Sequence, residues 1–176
     1  MIIRPTPIVG VHVVDIEPAN DDRGFFARLW CEETFRAAGL DTRISQCSIS
    51  YNRQARTLRG LHYQAAPCEE TKWVRCQGGA VFDVMVDLRP ETTSFRSWFG
   101  VELSDENHRM VYIPPGVAHG FITLADESIV HYQIGGQFVP ASGRGVRWND
   151  PAFAIDWPHE PLVIAERDRQ YPDFRP

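Results

Sequence analysis

Short extended segments broken by tight turns fill the chain from Thr42 onward, and this pattern restricts its fold more than any other feature. The clearest segment is 80–88, where Val81, Asp83, Met85 and Asp87 alternate with Phe82, Val84, Val86 and Leu88. That period of two sends successive side chains to opposite faces of a strand. Residues 44–51 alternate similarly, and 71–76 lead into the turn Gln77-Gly78-Gly79. Segments 98–103, 110–113, 120–124 and 129–138 continue the series, punctuated by Pro114-Pro115-Gly116 and Gly135-Gly136. Upstream, 8–16 alternates loosely, Asn20-Asp21-Asp22-Arg23-Gly24 forms a turn, and Phe25-Phe26 resumes an extended run. A helix is predicted over 32–38, stopped by Gly39, and a short one over 166–170. About ten short strands at this spacing predict an all-β sandwich or barrel of the jelly-roll type, with a few short helices.

No internal repeat or low-complexity linker divides the 176 residues, so one domain over 1–176 is expected, with a core that needs no disulfide. A formal charge of −5 argues against nucleic acid or an anionic membrane as partner, since both require a broad basic surface. A few converging arginines can still bind a small anion. The cysteines, Cys31, Cys47, Cys68 and Cys76, show no CxxC spacing, which weakens any zinc or thioredoxin-like reading. Reduced thiols in the cytoplasm are the expectation. Met-Ile-Ile-Arg-Pro lacks the features of a signal peptide, and no run reaches the roughly 18 apolar residues of a membrane span.

The run Leu58-Arg59-Gly60-Leu61-His62-Tyr63-Gln64, followed by Lys72, carries the chemistry. Strict alternation puts Gly60, His62 and Gln64 on one face and Arg59, Leu61 and Tyr63 on the other. A bend at Gly60 can return Arg59 to the face of His62. A lone strand histidine is usually structural, and most lysines are solvated. The grouping of a base with two cations is what raises a functional reading. Tyr132 and Asp168 read singly as a core aromatic and a solvated charge. Added to the cluster, they supply a hydroxyl and a carboxylate able to orient the histidine. Arg23 is either a salt-bridge partner of Asp21 or Asp22, or a forked clamp for phosphate. His119 is delivered to a strand start by the Pro114-Pro115-Gly116 corner, which resembles the second motif of the cupin superfamily. Position 64 is glutamine and only two histidines are on offer, so no metal site is expected.

Taken together, these segments resemble the dTDP-4-dehydrorhamnose 3,5-epimerase family, the RmlC-like cupins. The resemblance rests on Asp22-Arg23-Gly24-Phe25-Phe26, the 58–64 run, Gly79 to Arg89, Ile113 to Phe121, and Trp148-Asn149-Asp150-Pro151. It implies a cupin-type jelly-roll barrel, a homodimer sharing strands, no metal and no cofactor. It also implies a nucleotide-sugar substrate, a 4-keto-6-deoxyhexose on a diphosphate. In that chemistry His62 is the base, Asp168 fixes its tautomer, Lys72 stabilises the enolate, and Tyr132 delivers a proton to the opposite face. Arg23, Arg59 and His119 hold the diphosphate or neighbouring groups, and Gln46 joins the substrate-binding set.

The departures cluster in the binding shell. Arg28 stands where the family usually has glutamate, Cys47-Ser48 where it has Asp-Asn, and Gly143 where it has glutamate. Phe138 replaces a tyrosine, Arg167 a lysine, and Thr71 precedes Lys72. Losing a buried hydrogen-bond partner costs about 1–3 kcal/mol, so a shifted substrate choice is expected. Inversion of C3 alone or C5 alone, a CDP or GDP carrier, and a non-catalytic sugar-nucleotide binding cupin remain as alternatives.

Overall fold

The computed structural model describes residues 1–175. In chain order its strands are β1 (Ile2–Pro5), β2 (His12–Asp15), β3 (Ala19–Asp21), β4 (Gly24–Phe26), β5 (Gln46–Asn52), β6 (Thr57–Gln64), β7 (Thr71–Gly78), β8 (Ala80–Asp87), β9 (Trp98–Ser104), β10 (Met110–Ile113), β11 (Val117–Thr123), β12 (Ser128–Gly135), β13 (Gly143–Gly145) and β14 (Val163–Ile164). The helices are α1 (Glu32–Ala37) and α2 (Glu166–Arg169), with one 3-10 turn at Pro140–Ser142. One sheet runs β1-β2-β10-β7-β12-β5, and the other runs β13-β6-β11-β8-β9 with β14 joined to β6. The β3–β4 hairpin stands apart. This is the expected all-β jelly roll of the cupin type.

Alternation decides what each sheet buries. Val74, Val111 and Val130 from the first sheet meet Val81, Met85 and Phe121 from the second. The outer face of the second sheet is also apolar: Leu61, Val84, Val86 and Ala118 pack under Val146 and Phe153. The outer face of the first holds Trp73, Met110 and Tyr112 beneath Phe35 of α1. Strand β8 keeps the expected alternation but buries both faces, and its two aspartates are fully enclosed. Asp83 is paired through one oxygen, Oδ1 lying 2.7 Å from His119 Nε2, while its buried Oδ2 has no partner. Asp87 accepts hydrogen bonds from Arg89 Nε (2.8 Å), Thr92 Oγ1 (2.7 Å) and Ser94 Oγ (2.6 Å).

Helix α1 ends one residue earlier than expected, with Ala38 as its cap and Gly39 beyond it at φ +75°. The expected strand over 8–16 shrinks to β2. A turn carrying Gly10 at φ +79° precedes it, closed by the Val11 N–H donating to the Ile8 carbonyl at 3.0 Å. The turn exists to sink Ile8 and Val11 into the core between the sheets. Strands β1, β13 and β14 are too short to leave a periodic signal.

One irregularity positions the site. Along β11, two steps separate His119 from Phe121; along β6, their partners His62 and Arg59 are three steps apart. The extra residue is a β-bulge. It returns Arg59 to the face of His62 and leaves Leu61 and Tyr63 against the outer apolar cluster. Gly60 adopts φ +136°, and a Cβ there would meet Gly120 Cα at 2.5 Å. A Cβ on Gly120 would meet the Arg59 carbonyl at 2.7 Å. Two glycines are required because backbone touches backbone.

Gly120→Ala should lower stability by about 1–3 kcal/mol, as overpacking does. Gly143→Ala, whose Cβ would approach only the Pro140 carbonyl at 3.4 Å, should be nearly neutral in the same urea titration. A second prediction concerns acid. Burial pushes the Asp87 carboxyl up, but the hydrogen bonds from Arg89, Ser94 and Thr92 outweigh it and hold it below the ordinary range. Its contribution is complete above the unfolded value of about 3.9 and is lost as pH falls through the lower folded value. Asp87→Asn should therefore cost about 1–3 kcal/mol at pH 7 and flatten the acid limb of the stability profile. An acid limb as steep as the parent's would count against Asp87.

Candidate active site

Beside the apolar core, the space between the sheets opens into a cavity of about 720 Å³. Strand β5 supplies Gln46, Ser48 and Ser50; β6 supplies Arg59 and His62; β7 supplies Lys72. His119 enters from β11, and Tyr132 and Ile134 enter from β12. Phe138 follows β12, and α2 adds Arg167 and Asp168. Every candidate site residue read from the sequence, except Arg23 and Arg28, thus lines one cavity. Those two lie outside it within the single chain. Arg23 sits on the β3–β4 turn, its Nη2 2.6 Å from Asp21 Oδ2, and Arg28 turns Nη1 toward Cys31 Sγ at 3.8 Å.

Asp168 is buried at the base of this site. Strand β14 runs parallel to β6, Val163 beside Thr57 and Ile164 beside Leu58, and so delivers α2 alongside the bulge. Asp168 Oδ1 then lies 2.8 Å from His62 Nε2, while Oδ2 accepts the Gly60 N–H at 3.2 Å. Burial alone raises the Asp168 carboxyl. The hydrogen bond and charge of His62, the Gly60 amide and the Arg167 cation together outweigh that and hold it low. An ionised Asp168 only accepts, so His62 Nε2 carries the hydrogen and Nδ1 is left to take up a proton. Arg167 sits against the same pair, with Nε 3.4 Å from Asp168 Oδ1.

A second histidine–carboxylate pair faces the first across the strand register, His119 opposite His62. His119 Nε2 is 2.7 Å from Asp83 Oδ1, and its ring meets Tyr132 edge-on at 6.0 Å. Burial pushes the Tyr132 hydroxyl well up, Asp83's charge adds to this, and Arg59 opposes it. Tyr132 therefore stays a phenol, a group with a proton to give. Arg59 is held by Nε on Asn52 Oδ1 at 2.7 Å. Lys72 Nζ lies 3.0 Å from Glu70 Oε1 and 3.3 Å from the His62 carbonyl.

The lining residues not singled out in the sequence include Glu70 and Ser50. Glu70 has a readable signal, since it lies two positions before Lys72 and so on the same side of an extended chain. Ser50 has none: its Oγ is buried without a partner and borders the cavity, which only the assembled sheet reveals.

The family model described as dTDP-4-dehydrorhamnose 3,5-epimerase matches residues 5–176. The protein of that name from Methanothermobacter thermautotrophicus is 40% identical over 173 residues, 97% of this chain and 92% of the relative. The dTDP-4-dehydrorhamnose 3-epimerase of Streptomyces niveus is 36% identical over 170 residues, 96% of this chain and 82% of the relative. A crystal structure of the 3,5-epimerase from Bacillus anthracis, with TDP and PPi bound, superposes with a TM-score of 0.93 at 35% identity and covers 98% of each chain. With the match spanning nearly the whole length, the chain belongs to the dTDP-4-dehydrorhamnose 3,5-epimerase family of nucleotide-sugar isomerases.

Proposed function

We propose that the chain inverts C3, C5 or both of a 4-keto-6-deoxyhexose carried on dTDP, working as one domain without a cofactor. The observation that carries this reading is the His62–Asp168 pair in one cavity with Lys72 and a Tyr132 held as phenol. The 4-ketone acidifies the hydrogens on the adjacent carbons. His62 Nδ1 removes one of them while Asp168 balances the imidazolium that forms. Lys72 donates to the enolate oxygen, a contribution of roughly 3 kcal/mol for one such donor. Tyr132 returns a proton to the opposite face, and the centre is inverted. Arg59 and His119 flank the diphosphate, and Gln46, Ser48, Phe138 and Arg167 shape the rest of the binding surface.

A homodimer is part of this proposal. The β3–β4 hairpin carries Phe25 and Phe26 at 49% and 78% exposure, and Ile49 on the edge strand β5 is 66% exposed. Such a surface favours a partner. Arg23 on that hairpin lies outside its own cavity, and a second subunit sharing strands would let it reach a diphosphate. Arg28 is proposed to follow the same route. Among the described residues no helix is long and apolar enough to cross a membrane. We place the enzyme in the cytoplasm, in keeping with its four unpaired thiols. Inversion at C3 alone is a second reading, since a relative named a 3-epimerase, from Streptomyces niveus, is 36% identical, close to the 40% of the 3,5-epimerase from Methanothermobacter thermautotrophicus.

Heavy-water NMR on 4-keto-6-deoxyglucose carried on dTDP, CDP and GDP tests the reading. Deuterium is expected at C3 and C5 with dTDP, falling by about a hundredfold or more in His62→Ala, the scale of a lost general base. Tyr132→Phe should retain exchange but slow net inversion. Label at C3 only would select the single-centre reading. No label on any carrier would sink the epimerase proposal. Light scattering should give twice the mass of one chain, and Phe26→Glu should shift it toward monomer with weakened dTDP binding; a monomeric parent would remove the shared-strand proposal.

A further inference from the structure

Gln64 lies two residues beyond His62 and is almost wholly buried, with both ends of its side chain engaged. Its Nε2 faces Glu70 Oε2 at 3.0 Å, the Cys68 carbonyl at 3.0 Å and the Gln137 carbonyl at 3.1 Å. Its Oε1 accepts the Val139 N–H at 2.7 Å. An amide has two hydrogens, so three acceptors share them. The consequence is structural: one side chain grips the peptide groups on both sides of Phe138 and one oxygen of Glu70. The other Glu70 oxygen is 3.0 Å from Lys72 Nζ, in an ion pair whose side chains are only 9% and 10% exposed.

A lysine ammonium has three donors and a flexible stem. Here one donor meets Glu70 and a second meets the His62 carbonyl at 3.3 Å. One is left for the cavity. Glu70 cannot follow the amine if it swings, because its second oxygen is tied to Gln64. The ammonium is therefore aimed by a carboxylate that is itself held.

We propose that Glu70 is a positioning residue that aims the remaining Lys72 donor at the developing enolate oxygen. Gln64 links this pair to segment 137–139, so that seating of the nucleotide against Phe138 and polarisation of the ketone are coupled. The inference rests on the reading of Lys72 given above. It also accounts for a glutamine at a position where a metal cupin would place a ligand: the amide is occupied as a clamp.

The test is steady-state kinetics and C3/C5 deuterium exchange with the dTDP-linked 4-keto sugar, alongside calorimetric dTDP binding. Glu70→Gln, nearly isosteric, should lower kcat about tenfold to a hundredfold, the scale of a misplaced catalytic group. KM and the dTDP Kd should stay within about threefold, since ground-state binding is retained. In a Lys72→Met background the same substitution should cost nothing further. Glu70→Asp, which keeps the charge but withdraws it by one methylene, should give a milder kcat loss with KM unchanged. This variant carries the comparison if Glu70→Gln does not fold. Gln64→Leu should weaken dTDP binding and kcat together. An unchanged kcat in the Glu70 variants beside an inactive Lys72→Met would overturn the proposal alone, as would an equal further loss in the Lys72→Met background. Undiminished exchange in Lys72→Met would remove the reading of Lys72 itself, and the proposal with it.

Discussion

The site depends on one bulge. Gly60 can hold φ +136° only without a side chain, and Gly120 must also lack one for the two backbones to touch. The extra residue brings Arg59 and His62 onto one face of β6, where a regular strand would separate them. Asp168 then ties the bulge to the chemistry. One of its oxygens takes the Gly60 amide and the other the His62 imidazole, so the same carboxylate holds backbone shape and ring orientation. A residue from the end of the chain thus secures a distortion near its middle.

The interior between the sheets is divided. One part is closed by Val74, Val81, Met85, Val111, Phe121 and Val130; the other brings charges and hydroxyls together beside apolar residues such as Ile134 and Phe138. Buried charge is costly unless partnered, and here the partners are close. Asp83 has His119, Asp168 has His62, Glu70 has Lys72, and Asp87 has Arg89 with Thr92 and Ser94. These pairs leave Arg59 with free guanidinium donors and Lys72 with one unengaged N–H, a combination suited to an anionic, carbonyl-bearing ligand. It also reconciles a net charge of −5 with anion binding, because the local arrangement outweighs the total.

The positions expected to depart from the family do not share one place in the structure. Ser48, Phe138 and Arg167 lie on the cavity wall, whereas Gly143 opens β13 opposite Gln64 and brings no side chain. The residues proposed for proton transfer line the same cavity, with three of the positions expected to differ from the family beside them. Changes of this kind alter what is held more readily than what is done to it.

Much of the architecture was legible in the sequence. Alternation in residues 80–88 specified both faces of β8, Gly39 marked the end of α1, and the 58–64 run announced a functional strand. Spacing alone could not show that Arg59 joins His62, since regular alternation separates them and only the contact of Gly60 with Gly120 forces the bulge. Nor could it bring Asp168 to His62 across 106 residues of chain, or pair His119 with Asp83. Short strands such as β13 and β14 form because a neighbour offers unpaired backbone groups, a condition local sequence does not encode. Sequence periodicity determined which residues face inward, because side-chain direction is a local property of the backbone. Only tertiary structure decided which inward-facing groups meet, because that depends on register and on the close approach of distant segments.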